Sequence, residues 1–560
     1  MLASRGYTLV LVYSLCLVRI AGRARHSHGR DDLPGWLGEV RRAHSVKVHD
    51  FLLEAQLRLK AQGGPNATSG TPQNWTVDKQ TGAVTQDPPV LQGNVAPFLN
   101  KPIALNGDQG MRYMHMATIA KSPFNDSLVA AWQAAPEGEG QPGQRIMVSF
   151  SHDGAGDSWW PAQTPTVSAD ALPRWSGAQW GPVLHADAAL LELWLFYSES
   201  QADCLRPGAN ATLPHWVVGG DIHVIRLQGN MTANWTEPQL LYPQSAGRIP
   251  KITANGVAVL QNGDWVLPFW RQRPRPIDLV NSTTNATRQT CVAKKPTSAG
   301  VLIRDVRDGE WRGVGSLATY MCLHPPSRKP WSAKDTLTAE QLECGAAGWL
   351  IENTVAELED GRLMMLFRTR AGFVYKSFSA DGGHLWSTPS ILFGIPNPDA
   401  KVATRRLSSS EHLRGLVALA FNDHQRPLKP PKDESQLETA TRERRELTIA
   451  LSKDGDRWLR VAKVFSGEDP RSESGESMTQ LHYPAILELP DGQMLVAYTK
   501  STLTESNDTE DSGSAGTGHE IWMARFDMQR LSAVYSNLSA VQEANDKRAA
   551  EIAGGNNETD

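Results

Sequence analysis

TVAELEDGRLMMLFRT (354–369) is an alternating apolar strand, a tight turn and a second strand that is apolar almost throughout. Asp-Gly between two apolar runs is a strong two-residue hairpin signal, because both turn positions require positive φ. A strand apolar at every position is one covered on both faces. The same unit returns as AILELPDGQMLVAYT (485–499) and GVAVLQNGDWVLPFW (256–270). Weaker copies are TIAKSPFNDSLVAAW (118–132), PVLHADAALLELWLFY (182–197) and the segment ending GLVALAFN (415–422). Six such hairpins in one chain predict a repeat architecture.

A second period runs between the hairpins. Trp159, Trp235, Trp311, Trp386 and Trp458 lie 76, 76, 75 and 72 residues apart. Three of them close a Ser-x-Asp pattern, in SHDGAGDSW (151–159), SADGGHLW (379–386) and SKDGDRW (452–458). The pattern, Ser-x-Asp-x-Gly-x-x-Trp, is the Asp box. Its carboxylate can accept backbone N–H bonds across a turn, its glycine supplies positive φ, and its indole packs against the hairpin. Asp153, Asp381 and Asp454 are therefore read as structural. Six hairpins interleaved with these turns predict an all-β, six-bladed β-propeller, with HEIWMARFDM (519–528) finishing the last blade and 503–518 a surface loop.

The ends differ. Arg5 followed by the apolar run Tyr7–Val18, then Arg19, Ala21, Gly22 and Arg23, reads as a signal peptide over 1–22, with an uncleaved anchor as the alternative. The run is shorter than the roughly 20 apolar residues of a membrane span. Residues 23–95 are expected to hold an amphipathic helix (35–61) and a Gly/Pro/Thr/Asn linker (63–73). The propeller is placed at 96–530, and 531–560 is expected to be a short helical pattern followed by a disordered polar tail. Eleven sequons, at Asn66, Asn74, Asn125, Asn210, Asn230, Asn234, Asn281, Asn285, Asn507, Asn537 and Asn557, point to lumenal or extracellular exposure. Outside the signal stand Cys204, Cys291, Cys322 and Cys344, which in an oxidising compartment suggest two disulfides; Cys322–Cys344 closes the short loop. The formal net charge of −4 implies no basic surface for nucleic acid. Nothing in the sequence demands a metal or organic cofactor.

The Asp boxes, the blade order and several motifs resemble the sialidase superfamily of glycoside hydrolases over roughly residues 110–530. The nearest branch is the BNR repeat-like one, to which HMAT (115–118), GRIPK (247–251) and PNPDAK (396–401) correspond. The resemblance implies an exo-acting enzyme for a terminal acidic sugar. A tyrosine serves as nucleophile because the carboxylate on the sugar's anomeric carbon repels an anionic one, and a Glu serves as its base. ENTVAELEDGRLMMLFR (352–368) then places the Glu at Glu352 and a carboxylate-binding arginine at Arg368. RRELTIALSKDG (444–455) places a further arginine at Arg445, with Arg444 as runner-up. HYPAILELPDGQMLVAYTK (482–500) places the nucleophile at Tyr483. The usual first arginine is replaced by His115, which could bind a carboxylate when protonated. The acid has no clear counterpart; the loop PEGEGQPGQ (136–144) offers Glu139, then Glu137. Lys251, Arg271, Asn397, Lys401 and Asn422 close hairpins on the same face and are candidate substrate contacts. The expected partner is a glycan or glycoconjugate, with no nucleic acid and no membrane beyond the N-terminal anchor alternative. Two rival readings follow from the lost arginine: a hydrolase or lyase for another acidic sugar such as a uronic acid, with His115 as acid or base, and a non-catalytic glycan-binding propeller.

Overall fold

The computed structural model describes residues 92–165, 177–200, 215–280, 287–314, 349–423, 444, 446–466, 477–504 and 518–555, with short strands at 75–77, 84–86 and 205–206. The chain divides into two units, Gln73–Asn545 and Met1–Pro72 with Asp546–Asp560. Of the second, only the end of a helix is described. The expected signal peptide, the 35–61 helix and the 63–73 linker lie outside the described residues.

The first unit holds six blade sheets, each opening with one of the six hairpins, and two small two-stranded ribbons, Trp75–Val77 with Val84–Gln86 and Leu205–Arg206 with His215–Trp216. Blade one is Tyr113–Lys121, Leu128–Ala135 and Arg145–Phe150, with Val148 bridged to Gln163. Blade two is Gln179–Asp187, Glu192–Glu199, Asp221–Gln228 and Gln239–Tyr242. Blade three runs from Lys251–Thr253 through two long strands, Trp265–Val280 and Thr287–Arg304, to Trp311–Val314. Blade four is Ile351–Glu357, Leu363–Arg368, Phe373–Ser379 and Ser390–Pro396. Blade five is Ala403–Arg406, Val417–Asn422, Glu446–Ser452 and Leu459–Ser466, joined in parallel by Gln92–Val95. Blade six is Ser477–Glu488, Gln493–Thr504 and Gly518–Asp527, and its outermost strand is Leu99–Ala104. The strand at 519–528 therefore does not finish the last blade, as expected from sequence. A strand from ahead of blade one does, and it locks the two ends of the ring together. Pro102 is tolerated there because the strand is outermost.

The core is a set of seams between blades, which explains the continuously apolar second strands. Leu495 and Ala497 pack with Ala117, Leu128 and Trp132 of blade one. Their alternate neighbours Met494, Val496 and Tyr498 pack with Ile449 and Val461 of blade five. The same division holds at the seams one/two (Val129 with Leu195), two/three (Phe196 with Phe269), three/four (Val301 with Phe367) and four/five (Leu366 with Leu419). Six seams close the ring.

The Asp boxes act as turns. Asp381 Oδ1 accepts the Leu385 N–H at 2.8 Å and the Ser379 hydroxyl at 2.8 Å, and Trp386 Nε1 donates to Gly383 O at 3.0 Å. Asp153 and Asp454 accept N–H bonds from Gly156 and Arg457, both at 2.8 Å. Each of the five periodic tryptophans seals the seam between its own blade and the one before it. The seam between blades five and six is sealed instead by Met528 and Leu531, at the start of the helix Met528–Gly555. The short helical pattern expected after 531 is longer than that: Leu531 is fully buried, and the helix runs on to Gly555. Among the described residues, no helix is long and apolar enough to cross a membrane.

Candidate active site

The inner strands share a local irregularity that sets up the site. In blade four, Ile351 faces Arg368 and Thr354 faces Leu366, so three steps on one strand span two on the other. Blade six repeats this between His482 and Ala485, blade one between His115 and Thr118, and blade two between Trp180 and Val183. Each bulge holds one residue in the left-handed region: Glu352 (φ 48), Tyr483 (φ 59), Met116 (φ 56) and Gly181 (φ 55). For a non-glycine residue that conformation costs on the order of 1 kcal/mol, and bulges of this kind re-aim side chains. Gly181 has no choice, since a Cβ there would lie 1.8 Å from Thr253 O. Met116, Ala254 and Tyr483 pack together, joining the inner strands of blades one, three and six.

The bulges of blades four and six bring two predicted residues into contact. Tyr483 Oη donates to Glu352 Oε1 at 2.9 Å. Arg368 Nη1 donates to both Glu352 oxygens, at 3.1 and 3.0 Å, and to Tyr483 Oη. On its other edge, Arg368 Nε donates to Asp399 Oδ1 at 2.7 Å. Asp399 is buried, left-handed (φ 51), and also pairs with Arg370 at 3.3 Å. Burial alone would raise the Asp399 carboxyl; the charges of Arg368, Arg370 and Arg444 outweigh that and hold it low. Burial pushes the Tyr483 hydroxyl up, with Arg368 opposing and Glu352 adding to the rise. The phenol therefore keeps its proton until a carboxylate takes it, and Glu352 is in hydrogen-bond reach to do so.

His115 lies against the Tyr483 ring, with centroids 3.9 Å apart. His482 and His519 stand 5.1 and 6.2 Å from His115. His519 Nδ1 donates to Met114 O at 3.3 Å, which fixes its tautomer because a carbonyl only accepts. Burial drives His115 well below the usual imidazole range, and the charges of His519, Arg444, Arg368 and Lys401 add to this. This disfavours the protonated form that was expected to bind a carboxylate. Tyr113 accepts from Gln133 Nε2 at 3.2 Å, and the same amide donates to Glu139 Oε1 at 3.3 Å. Glu139 is half-buried beside this group and acts electrostatically on Tyr113 and Tyr483. Glu137 faces solvent with Arg112.

The other candidates divide. Arg445 lies outside the described residues. Arg444 is at the site: its Nη2 donates to Asp399 O at 2.7 Å, and its guanidinium carbon is 5.8 Å from the Tyr483 ring centre. Lys251, Asn397 and Asn422 are corrected as substrate contacts, because backbone occupies their donors in the buried interior. Lys251 Nζ donates to the carbonyls of Pro243, Gln244 and Ala246. Asn397 Nδ2 donates to Ala400 O at 2.7 Å, and its Oδ1 accepts from Ala400 N at 3.2 Å, shaping the loop that carries Asp399. Asn422 Nδ2 donates to Glu446 O and Leu481 O. Arg271 donates to Ser298 at 2.9 Å, and Lys401 is buried with its ammonium on Pro484 O. Asp399, Arg370, His482 and His519 were missed by sequence reasoning. Asp399 sits inside the quoted PNPDAK, so its motif was in hand and its role was not. Cys204, Cys322 and Cys344 lie outside the described residues, and Cys291 is described only as strand backbone. Among the described residues, no group of three or more His, Cys, Asp or Glu is placed to hold a metal ion.

A six-bladed propeller carries a cluster of Tyr483 and Glu352 on the inner strands of blades six and four, Arg368 at the end of the second strand of blade four, and Asp399 on the loop before blade five. The BNR repeat-like domain matches residues 126–496, and the chain belongs to that family. Among solved structures it is similar to a protein of unknown function from Dyadobacter fermentans DSM 18053, with 13% identity over 77% of this chain and 98% of that one and a TM-score of 0.48. It is similar to Trypanosoma rangeli sialidase in complex with the inhibitor DANA, with 13% identity over 81% of this chain and 61% of that one and a TM-score of 0.47. It is also similar to the intramolecular trans-sialidase from Ruminococcus gnavus in complex with oseltamivir carboxylate, with 13% identity over 79% of this chain and 99% of that one and a TM-score of 0.47. No curated protein matches the chain.

Proposed function

We propose that this propeller is a sialidase-like exo-glycoside hydrolase that releases a terminal acidic sugar, sialic acid or a close analogue, from glycoconjugates. The observation that carries the reading is the 2.9 Å hydrogen bond from Tyr483 Oη to Glu352, with Arg368 donating to both. In the first step, Oη bonds to the anomeric carbon and its proton passes to Glu352. The glycosidic C–O bond breaks, and Glu139 protonates the leaving oxygen. In the second step, water attacks the anomeric carbon and passes a proton to Glu139, Oη leaves and recovers its proton from Glu352, and the sugar departs with net retention. Arg444 is the guanidinium assigned to the sugar carboxylate, because Arg368 is occupied by Asp399, Glu352 and Tyr483.

The test is a product assay on defined sialosides and uronic-acid glycans. Wild type is expected to release free sialic acid with retention, and Tyr483→Phe to lower kcat at least about 10³-fold. One observation favours a second reading: a neutral His115 packs on Tyr483 where the family's first arginine is expected. A neutral imidazole can abstract a proton α to a uronate carboxyl, so a lyase would leave an unsaturated uronate chromophore and release no sialic acid. Binding of sialosides without any turnover would leave the non-catalytic reading.

We also propose passage through the secretory pathway. The sequon residues Asn125, Asn230, Asn234 and Asn537 are exposed, as N-glycosylation requires. A mobility shift on enzymatic removal of N-glycans from the expressed full chain is the expected result; an unchanged band would remove this proposal.

A further inference from the structure

Lys401 is fully buried two residues ahead of the first strand of blade five. Its Nζ makes one hydrogen bond among the described residues, to Pro484 O at 2.7 Å. Pro484 follows Tyr483 inside the blade-six bulge, between the paired residues His482 and Ala485. The contact spans the seam between blades and grips the very segment that holds Tyr483 in its left-handed conformation. Lys251, at the head of the first strand of blade three, is the informative contrast. It is equally buried, but three loop carbonyls surround its ammonium. Lys401 has a single carbonyl, and the charge that acts on it is Glu352. A buried ammonium so sparsely bonded is costly unless an opposite charge compensates it.

We propose that Lys401 is a positioning residue for the tyrosine–carboxylate pair, holding the Tyr483 bulge through the Pro484 carbonyl and serving with Arg368 as a cation for Glu352. The idea rests on the reading of Tyr483 and Glu352 as nucleophile and base. The charged and titratable groups around the pair are Arg368, Asp399 and Lys401 from blades four and five, Tyr483 and His482 from blade six, His115 and Glu139 from blade one, and Arg444. Burial draws the Lys401 ammonium down to about 8, with Glu352 opposing, so it is mostly charged at neutral pH. Lys401 would therefore touch neither substrate nor leaving group. Its effect would be on kcat and on the pH profile.

The test uses the full chain with Lys401→Met and Lys401→Arg. For Lys401→Met, kcat is expected to fall about 10²-fold with KM within about twofold, as for a nucleophile moved out of line. The acid limb of its kcat/KM profile is expected to move to higher pH. Lys401→Arg keeps the charge and a donor, and is expected to recover most of kcat and the wild-type limb. Unchanged kcat and profile in Lys401→Met would overturn the proposal. So would Lys401→Arg behaving like Lys401→Met. An infrared measurement separates this from the fate of the catalytic reading. A protonated-carboxyl band should appear at higher pH in Lys401→Met than in wild type, and vanish in the Glu352→Gln double variant. If no acidic glycoside is turned over, that band alone decides: its presence supports the Lys401 role, and its absence removes it.

Discussion

At the scale of single residues, the site depends on how charges are shared, and that is where sequence reasoning was strong on identity and weak on role. Tyr483, Glu352 and Arg368 were legible because each stands beside a recognisable hairpin. Asp399 was not, because its part depends on a loop conformation (φ 51) that brings it under Arg368 and Arg370. Asn397 and Lys251 were misread for the opposite reason. A polar residue at a strand end looks the same in sequence whether it faces substrate or backbone carbonyls. The charge ledger gives a prediction. Asp399→Ala leaves Arg368 buried with Glu352 as its remaining carboxylate partner at the site, and removing one partner of a buried pair costs about 3–5 kcal/mol. Chemical denaturation is expected to show that loss. Asp399→Asn, which keeps the shape, is expected to unfold nearer to wild type yet lose turnover, because Arg368 would then draw Glu352 away from Tyr483.

At the scale of elements, the repeat was legible because hairpin turns and Asp boxes are local chemistry: Asp-Gly sets a turn, and Ser-x-Asp caps one. What seals each seam was not, since that needs the neighbouring blade. The five tryptophans close five seams, and Leu531 with Met528 takes the sixth. The helix was expected to be short after 531 because it is polar over most of its length. Leu531→Ala should therefore behave as a core substitution, lowering unfolding free energy by about 2–5 kcal/mol in urea titration. The variant is expected to keep wild-type kcat, as Leu531 lies in the seam cluster and not at the catalytic bulges. A loss below about 0.5 kcal/mol, the range of ordinary surface changes, would mean the helix is not part of the seam.

At the scale of the whole molecule, closing the ring makes one interior out of six seams, and that interior holds ionisable groups in fixed protonation states. Three imidazoles, His115, His482 and His519, cluster beside Tyr483. Burial is the first cause holding all three low, and it takes His519 down to about 4. In the unfolded chain each titrates near 6.5. Below that pH the unfolded state takes up protons that the fold refuses, so stability is present above about 6.5 and is lost as pH falls, until the folded-state values are reached. The slope approaches about 1.4 kcal/mol per pH unit per histidine. Between about pH 6.5 and 5.5 each histidine held low by burial therefore adds to the loss. Asp399, held low by its arginines, acts in the same direction further down, losing its contribution only as pH falls below the usual carboxylate range. Urea unfolding at a series of pH values is expected to show stability falling steadily below neutrality. His519→Asn, which keeps a donor for Met114 O, should flatten that slope by about a third. A pH-independent unfolding free energy over this window would mean the cluster is solvated and charged, and with it the neutral His115 on which the lyase alternative rests would be lost.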